Sequence, residues 1–179
     1  GNRTRVSETT AEKIRAIASE LNYRPNMAAQ QLAGVRSYLI GGILDSHANE
    51  TFIKRLAVME RAAADRGYRL IVGYSHNEVE RIADYLNDFR SRGVDGVVSL
   101  SHTYPEYGGK ISQMLQGFKN CVLIEPPVGE ANLSYVSPDY VKTGYIITKH
   151  LLEEGFKRIA ILQFAAGYKT VQDEFQGYL

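Results

Sequence analysis

"DRGYRLIV", residues 65–72, places three signals in eight positions. Charged residues close an amphipathic stretch, a glycine follows, and an apolar run begins. Glycine there takes the left-handed conformation that caps a helix C-terminus. The same device returns as "SRGVDGVV" (91–98) and "EEGFKRIAIL" (153–162). Each join reads as helix end, glycine cap, strand start.

Five short apolar runs are of strand type: "YLIGGIL" (38–44), "YRLIVGYS" (68–75), "DGVVSLS" (95–101), "NCVLIE" (120–125) and "RIAILQF" (158–164). Between them lie amphipathic segments of helical length, over 50–66, 77–92, 106–118 and 139–154. Alternating helices and continuously apolar strands predict a parallel sheet covered on both faces. Right-handed crossovers make this a doubly wound α/β fold, with the first strand between the second and third. "EPPVGEANLS" (125–134) is the Pro/Gly-rich break, read as a crossover between subdomains at 38–130 and 131–179. The absence of an initial Met and the ending at "FQGYL" (175–179) read as a piece of a longer protein, stopping one strand into the second subdomain.

Ahead of this body, "SETTAEKIRAIASEL" (7–21) predicts one helix. Ser7 is the candidate N-cap, with Thr10 a second hydroxyl. Ile14, Ile17, Ala18 and Leu21 make one apolar face, and Pro25 stops the helix by restricting the residue before it. Asn26 can cap a further short helix from Met27 to Ala33, closed by Gly34. Two turns are marginal alone, so this helix needs a partner. Ala28, Ala29 and Ala33 permit close approach of a symmetry mate, Leu32 projects an apolar wedge, and Gln30 and Gln31 offer amides to polar edges. That combination suits a DNA minor groove, where inserted apolar side chains unstack and bend the duplex.

Charge agrees with this division. The chain carries +1 overall, but residues 1–36 carry +3, from six Lys or Arg against three Glu, leaving −2 on the rest. A basic head on a mildly acidic body suits a polyanion partner; a solvated charged helix is the plainer alternative. The 44% hydrophobic content supports a packed core. No apolar run reaches membrane-spanning length and no signal peptide opens the chain. One cysteine, Cys121, provides neither a disulfide framework nor a thiol metal pair. A cytoplasmic setting fits.

Enzyme signatures are poor. No G-x-G-x-x-G follows a strand, and no G-x-S-x-G elbow or H-E-x-x-H occurs. "YPEYGGKI" (104–111) lacks the first Gly and the final Ser/Thr of a phosphate-binding loop and reads as a helix start. Cys121, within a buried strand, reads as inert packing. No catalytic residue and no cofactor are expected. His47, His76 and His102 each follow a predicted strand, and Glu125 follows the fourth. In a parallel sheet those ends share the edge where open α/β folds bind ligands. Hydrogen-bonding side chains in a small-molecule cleft, ordinary loop histidines and a metal site all remain open, in that order of preference.

"VSETTAEKIRAIASELNYRPNMAAQQLAG" (6–34) resembles the end of the headpiece and the hinge helix of the lactose-repressor/galactose-repressor family of bacterial transcription regulators. The likeness continues through "YLIGGILDSHANETF" (38–52), "RGVDGVV" (92–98), "VLIEPP" (122–127), "YVSPDYVKTGY" (135–145), "HLLEEGFKRIAIL" (150–162) and "FQGYL". The resemblance implies a periplasmic-binding-protein-like core of doubly wound parallel sheets. It is preceded by the last headpiece helix (1–24) and a hinge helix with linker (25–37), the helix-turn-helix proper lying before Gly1. Two α/β subdomains would close on a small effector, a sugar or metabolite. Homodimers, or tetramers, would hold the heads on operator DNA. Arg5, Ser7 and Thr10 match phosphate-touching headpiece positions. Tyr23, Asn26, Ala29 and Leu32 match hinge positions at the DNA. Ser46, Asn49 and Phe52 fall in the cleft-lining loop and helix start, and Asp139 at an acidic cleft position.

The departures bear on the effector. "NETF" (49–52) stands where the family usually has Asn-Pro-Phe-Phe, Glu174 stands where an Arg commonly holds sugar hydroxyls, and "EP" (125–126) stands where Asp-Arg is frequent. Acids at 125, 139 and 174 suggest a cationic, amino or heavily hydroxylated ligand. The resulting expectation is a ligand-responsive, DNA-binding regulator, favoured as a repressor, with a solute-binding protein of the same core as the alternative.

Overall fold

The computed structural model describes residues 6–23, 29, 33–45, 50–100, 106–129, 132–163 and 167–179. The chain divides into two compact units, Gly1–Ser37 and Tyr38–Leu179.

In the first unit, α1 spans Glu8–Glu20. Ser7 is its N-cap, accepting the Thr10 amide at 3.3 Å. The helix closes at its C-cap, Leu21, and Pro25 lies outside the described residues. Asn22 turns left-handed at φ 50° and the Tyr23 amide reaches back to the Ala18 carbonyl at 2.8 Å. Asn tolerates that conformation better than most residues. Of the predicted apolar face, Ile14, Ile17 and Leu21 are exposed.

The second unit runs β1 (Leu39–Leu44), α2 (Glu50–Ala64), β2 (Arg69–Tyr74), α3 (Val79–Ser91), β3 (Gly96–Ser99), α4 (Gly108–Gln116), β4 (Cys121–Ile124), β5 (Ser134–Val136), α5 (Tyr140–Glu153) and α6 (Lys169–Tyr178). The strands form one parallel sheet in the order β2-β1-β3-β4-β5. β1 lies between β2 and β3, as the crossovers require. Gly67, Gly93 and Gly155 adopt φ of 78°, 58° and 89° after their helices, so the repeated join is the glycine cap its sequence suggests.

The core sits between the sheet and α3 and α4. Ile43, Ile82, Leu86, Phe89, Val97, Ile111, Leu115 and Leu123 are buried there, each contributing about 1.5–3 kcal/mol by leaving water. Phe89 occupies the space over Gly41, where an added Cβ would stand 2.4 Å from the ring. Cys121 is buried in this core and burial pushes its thiol up to about 11, the behaviour of packing rather than of a nucleophile.

One expectation changes. "RIAILQF" forms no strand over its described residues 158–163, and Leu162 is 98% exposed. An apolar run becomes a strand only with a neighbour to complete its ladder, and no described strand lies beside it. Beyond the Pro/Gly-rich break, β5 pairs in parallel with β4 through Val122–Ser134, Leu123–Tyr135 and Ile124–Val136. The final segment adds α6, which the strand-centred reading did not foresee. α6 packs against α5 at near backbone contact, with the Glu174 carbonyl filling the place of a Cβ on Gly144.

Candidate effector site and DNA-binding segment

Parallel pairing brings the C-terminal ends of β1, β2, β3 and β4 to one edge. Asp45 directly follows β1 and Ser75 directly follows β2, both buried. Ser75 Oγ donates to Asp45 Oδ1 at 3.3 Å, and the His76 amide donates to the Asp45 carbonyl at 2.7 Å. The Asn77 amide donates to Ser75 Oγ at 3.3 Å, and the Tyr107 hydroxyl reaches the Asn77 carbonyl at 3.1 Å. Burial raises the Tyr107 phenol above its ordinary range, reinforced by the carboxylates of Asp45 and Glu106. Tyr168, just before α6, is raised by burial and by Tyr107, Asp45 and Glu106. Both phenols remain neutral donors at physiological pH.

Glu125 ends β4 and is 7% exposed. Its carboxylate accepts from Arg55 Nη1 at 3.0 Å, Ser137 Oγ at 2.7 Å and the Tyr140 hydroxyl at 2.9 Å. The carboxylate that the sequence offers to a ligand is held by the protein itself. Asp139 is exposed and caps α5, its carboxylate accepting the Lys142 amide at 2.9 Å. Of the three acids, Glu125 is thus paired with a guanidinium and Asp139 caps a helix. Among the described residues, the Ser75 hydroxyl and the Tyr107 phenol lie at this edge.

Phe52 is half-buried on the first turn of α2, with the Arg55 guanidinium 6.0 Å from its ring centre. His76 stands exposed in the turn after β2, at φ 51°. Ser46, His47, Asn49 and His102 lie outside the described residues, so the convergence of the three histidines does too. Among the described residues no three His, Cys, Asp or Glu side chains group as metal donors. Beside the Glu125 cluster, an apolar groove of about 520 Å3 runs between α2 and the ends of β4 and β5, lined by Val58, Met59, Ile124, Val136 and Pro138. Arg55, Asp45, Tyr107, Tyr140 and Tyr168 were not candidates from sequence. Asp45 alone carried a signal, as the polar residue directly after an apolar strand.

In the first unit, the Ser7 and Thr10 hydroxyls lie 2.8 Å apart at the exposed start of α1, and Tyr23 is 66% exposed. Ala29 is exposed and helical, its carbonyl accepts the Ala33 amide at 3.2 Å, and Gly34 follows at φ 78°. Arg5, Asn26, Gln30 and Leu32 lie outside the described residues.

The family described as periplasmic binding proteins and sugar binding domain of LacI family matches residues 37–179. The chain belongs to this family. It is 28% identical over 182 residues to the HTH-type transcriptional repressor PurR of Proteus mirabilis, covering 99% of this chain and 52% of that protein. It is 28% identical over 177 residues to catabolite control protein A of Staphylococcus xylosus, covering 96% of this chain and 52% of that protein. It thus spans about half the length of these curated relatives. Among solved structures, the transcription regulator CcpA of Lactococcus lactis superposes with a TM-score of 0.68 at 27% identity, covering 78% of this chain and 51% of that one. The lac repressor dimer bound to operator and the anti-inducer ONPF superposes with a TM-score of 0.80 over 98% of this chain and 53% of that one. At 22% identity it speaks for the fold. Among the described residues of this LacI-family chain, no helix is long and apolar enough to cross a membrane.

Proposed function

We propose that this chain is part of a ligand-responsive, DNA-binding transcriptional repressor without catalytic activity, working in the cytoplasm as a homodimer. One observation carries the reading. The alignment to proteins named transcriptional repressors covers 99% of the chain, while the periplasmic-binding family match begins only at residue 37. The basic first segment is therefore matched in repressors, which disfavours a solute-binding protein of the same core.

The sheet edge around Asp45, Ser75, Tyr107 and Tyr168 binds a small hydroxylated effector, a sugar or related metabolite, with His47, His76 and His102 as further candidates. The segment 25–37 acts as the hinge at operator DNA, with Leu32 as the wedge. Effector binding shifts the population between core conformations and so orders or releases that hinge. The test is fluorescence anisotropy of the full-length protein on operator DNA selected from a random pool, followed by a metabolite screen for thermal stabilisation. Saturable, salt-sensitive binding altered by a stabilising metabolite supports the reading. Metabolite binding with no DNA selected at all points to the solute-binding alternative.

A further inference from the structure

We propose that Glu125 is a conformational latch that sets the direction in which α5 leaves the sheet, with Arg55 holding its carboxylate in place. The link from β5 to α5 is three residues long, 137–139. Beyond it, α5 packs chiefly on α6 rather than on the sheet. The course of the α5–α6 hairpin therefore depends on what fixes that link. Glu125 fixes both of its ends. Its amide donates to the Val136 carbonyl at 2.9 Å, at the last residue of β5. Its carboxylate accepts from Ser137 at 2.7 Å, the first residue of the link, and from Tyr140 at 2.9 Å, the first residue of α5. Arg55 adds a third tether, from α2, at 3.0 Å. Sheet, link, α5 and α2 thus meet on one residue.

The backbone supports this assignment. Glu125 has φ 89°, a conformation that a residue with a Cβ keeps only where its surroundings over-determine it. A glycine would meet that geometry without strain, yet the position carries a long acid with three donors around it. The Tyr140 hydroxyl is raised above its ordinary range, first by burial and then by Glu125, so it stays protonated and donating.

Hydrogen–deuterium exchange of the full chain, read by mass spectrometry, tests the latch with Tyr140→Phe, Glu125→Gln and Glu125→Gly. The expected result is exchange of amides 142–145 accelerated by roughly tenfold or more in the Glu125 variants and less in Tyr140→Phe, with α3 amides 79–91 unchanged. Wild-type exchange at 142–145 in all three variants overturns the proposal. So does equal acceleration in α3, which marks global loosening. Stronger protection of 142–145 in Glu125→Gly than in wild type also overturns it, because relief of strain would then outweigh the tether. Tyr140→Phe removes one hydroxyl only and keeps the test decisive should the Glu125 variants fail to fold.

Discussion

Arg55 Nη1 lies 3.0 Å from Oε1 of Glu125, across 70 residues of chain. The pair joins the first helix of the α/β unit to the end of its fourth strand. The Glu125 side chain is 10% exposed and that of Arg55 30% exposed, so water screens the guanidinium but hardly reaches the acid. Removing Arg55 takes the guanidinium away from a buried carboxylate that keeps the Ser137 and Tyr140 hydroxyl donors. Arg55→Ala should cost about 1–3 kcal/mol in urea unfolding, less than a fully buried pair would. Lys54→Ala, one residue away in an exposed pair with Glu50, should cost within about 0.5 kcal/mol.

Gly41 faces Phe89 with no room for a methyl group. Gly41→Ala should therefore overpack the core and destabilise by about 1–3 kcal/mol. Phe89→Leu in the same background should restore part of the loss, a sign of coupling that a double-mutant cycle of urea midpoints would read.

Cys121 should resist thiol reagents in the folded protein at pH 8 and react rapidly after denaturation, because burial pushes its thiol from 9.0 to about 11. The raised value means folding favours the protonated thiol. Its contribution is complete below about pH 9 and is lost as pH rises through 11. Tyr107, Tyr140 and Tyr168 are shifted in the same direction, so alkaline destabilisation should persist, but be shallower, in Cys121→Ala.

Asp139 has two candidate roles that separate by substitution. As the N-cap of α5, its loss in Asp139→Ala should cost about 1 kcal/mol. Asp139→Asn keeps a capping oxygen and removes the charge. If Asp139 also contacts effector, calorimetry should show weakened effector affinity for Asn with a melting temperature near wild type; unchanged affinity would leave capping as its whole role.

At the operator, Leu32→Ala in the full-length protein should weaken specific binding by a few kcal/mol at most and reduce DNA bending, because it removes the wedge that stabilises the kink. Wild-type affinity and bending, measured by gel shift on permuted fragments, would exclude a minor-groove role for Leu32.

Local and periodic features were legible in the sequence. The glycine caps at 67, 93 and 155 and the apolar runs over 38–44, 68–75, 95–101 and 120–125 define a parallel α/β sheet, because backbone conformation and burial pattern act within a few residues. Ser7 sits where short-range capping puts it, whereas the capping role of Asp139 emerged only with the structure. What required tertiary structure depends on pairing and on long-range neighbours. "RIAILQF" has strand composition, yet its described residues form no strand because a ladder needs a partner. β5 joins the first sheet although a Pro/Gly-rich break precedes it, because β4 presents a free edge to it. Glu125 could be named from its place after a strand, but its role could not. Whether a strand-end acid meets a ligand or the protein's own cation depends on Arg55, Ser137 and Tyr140. Their approach is set by how α2 and α5 pack, which no spacing along the chain encodes.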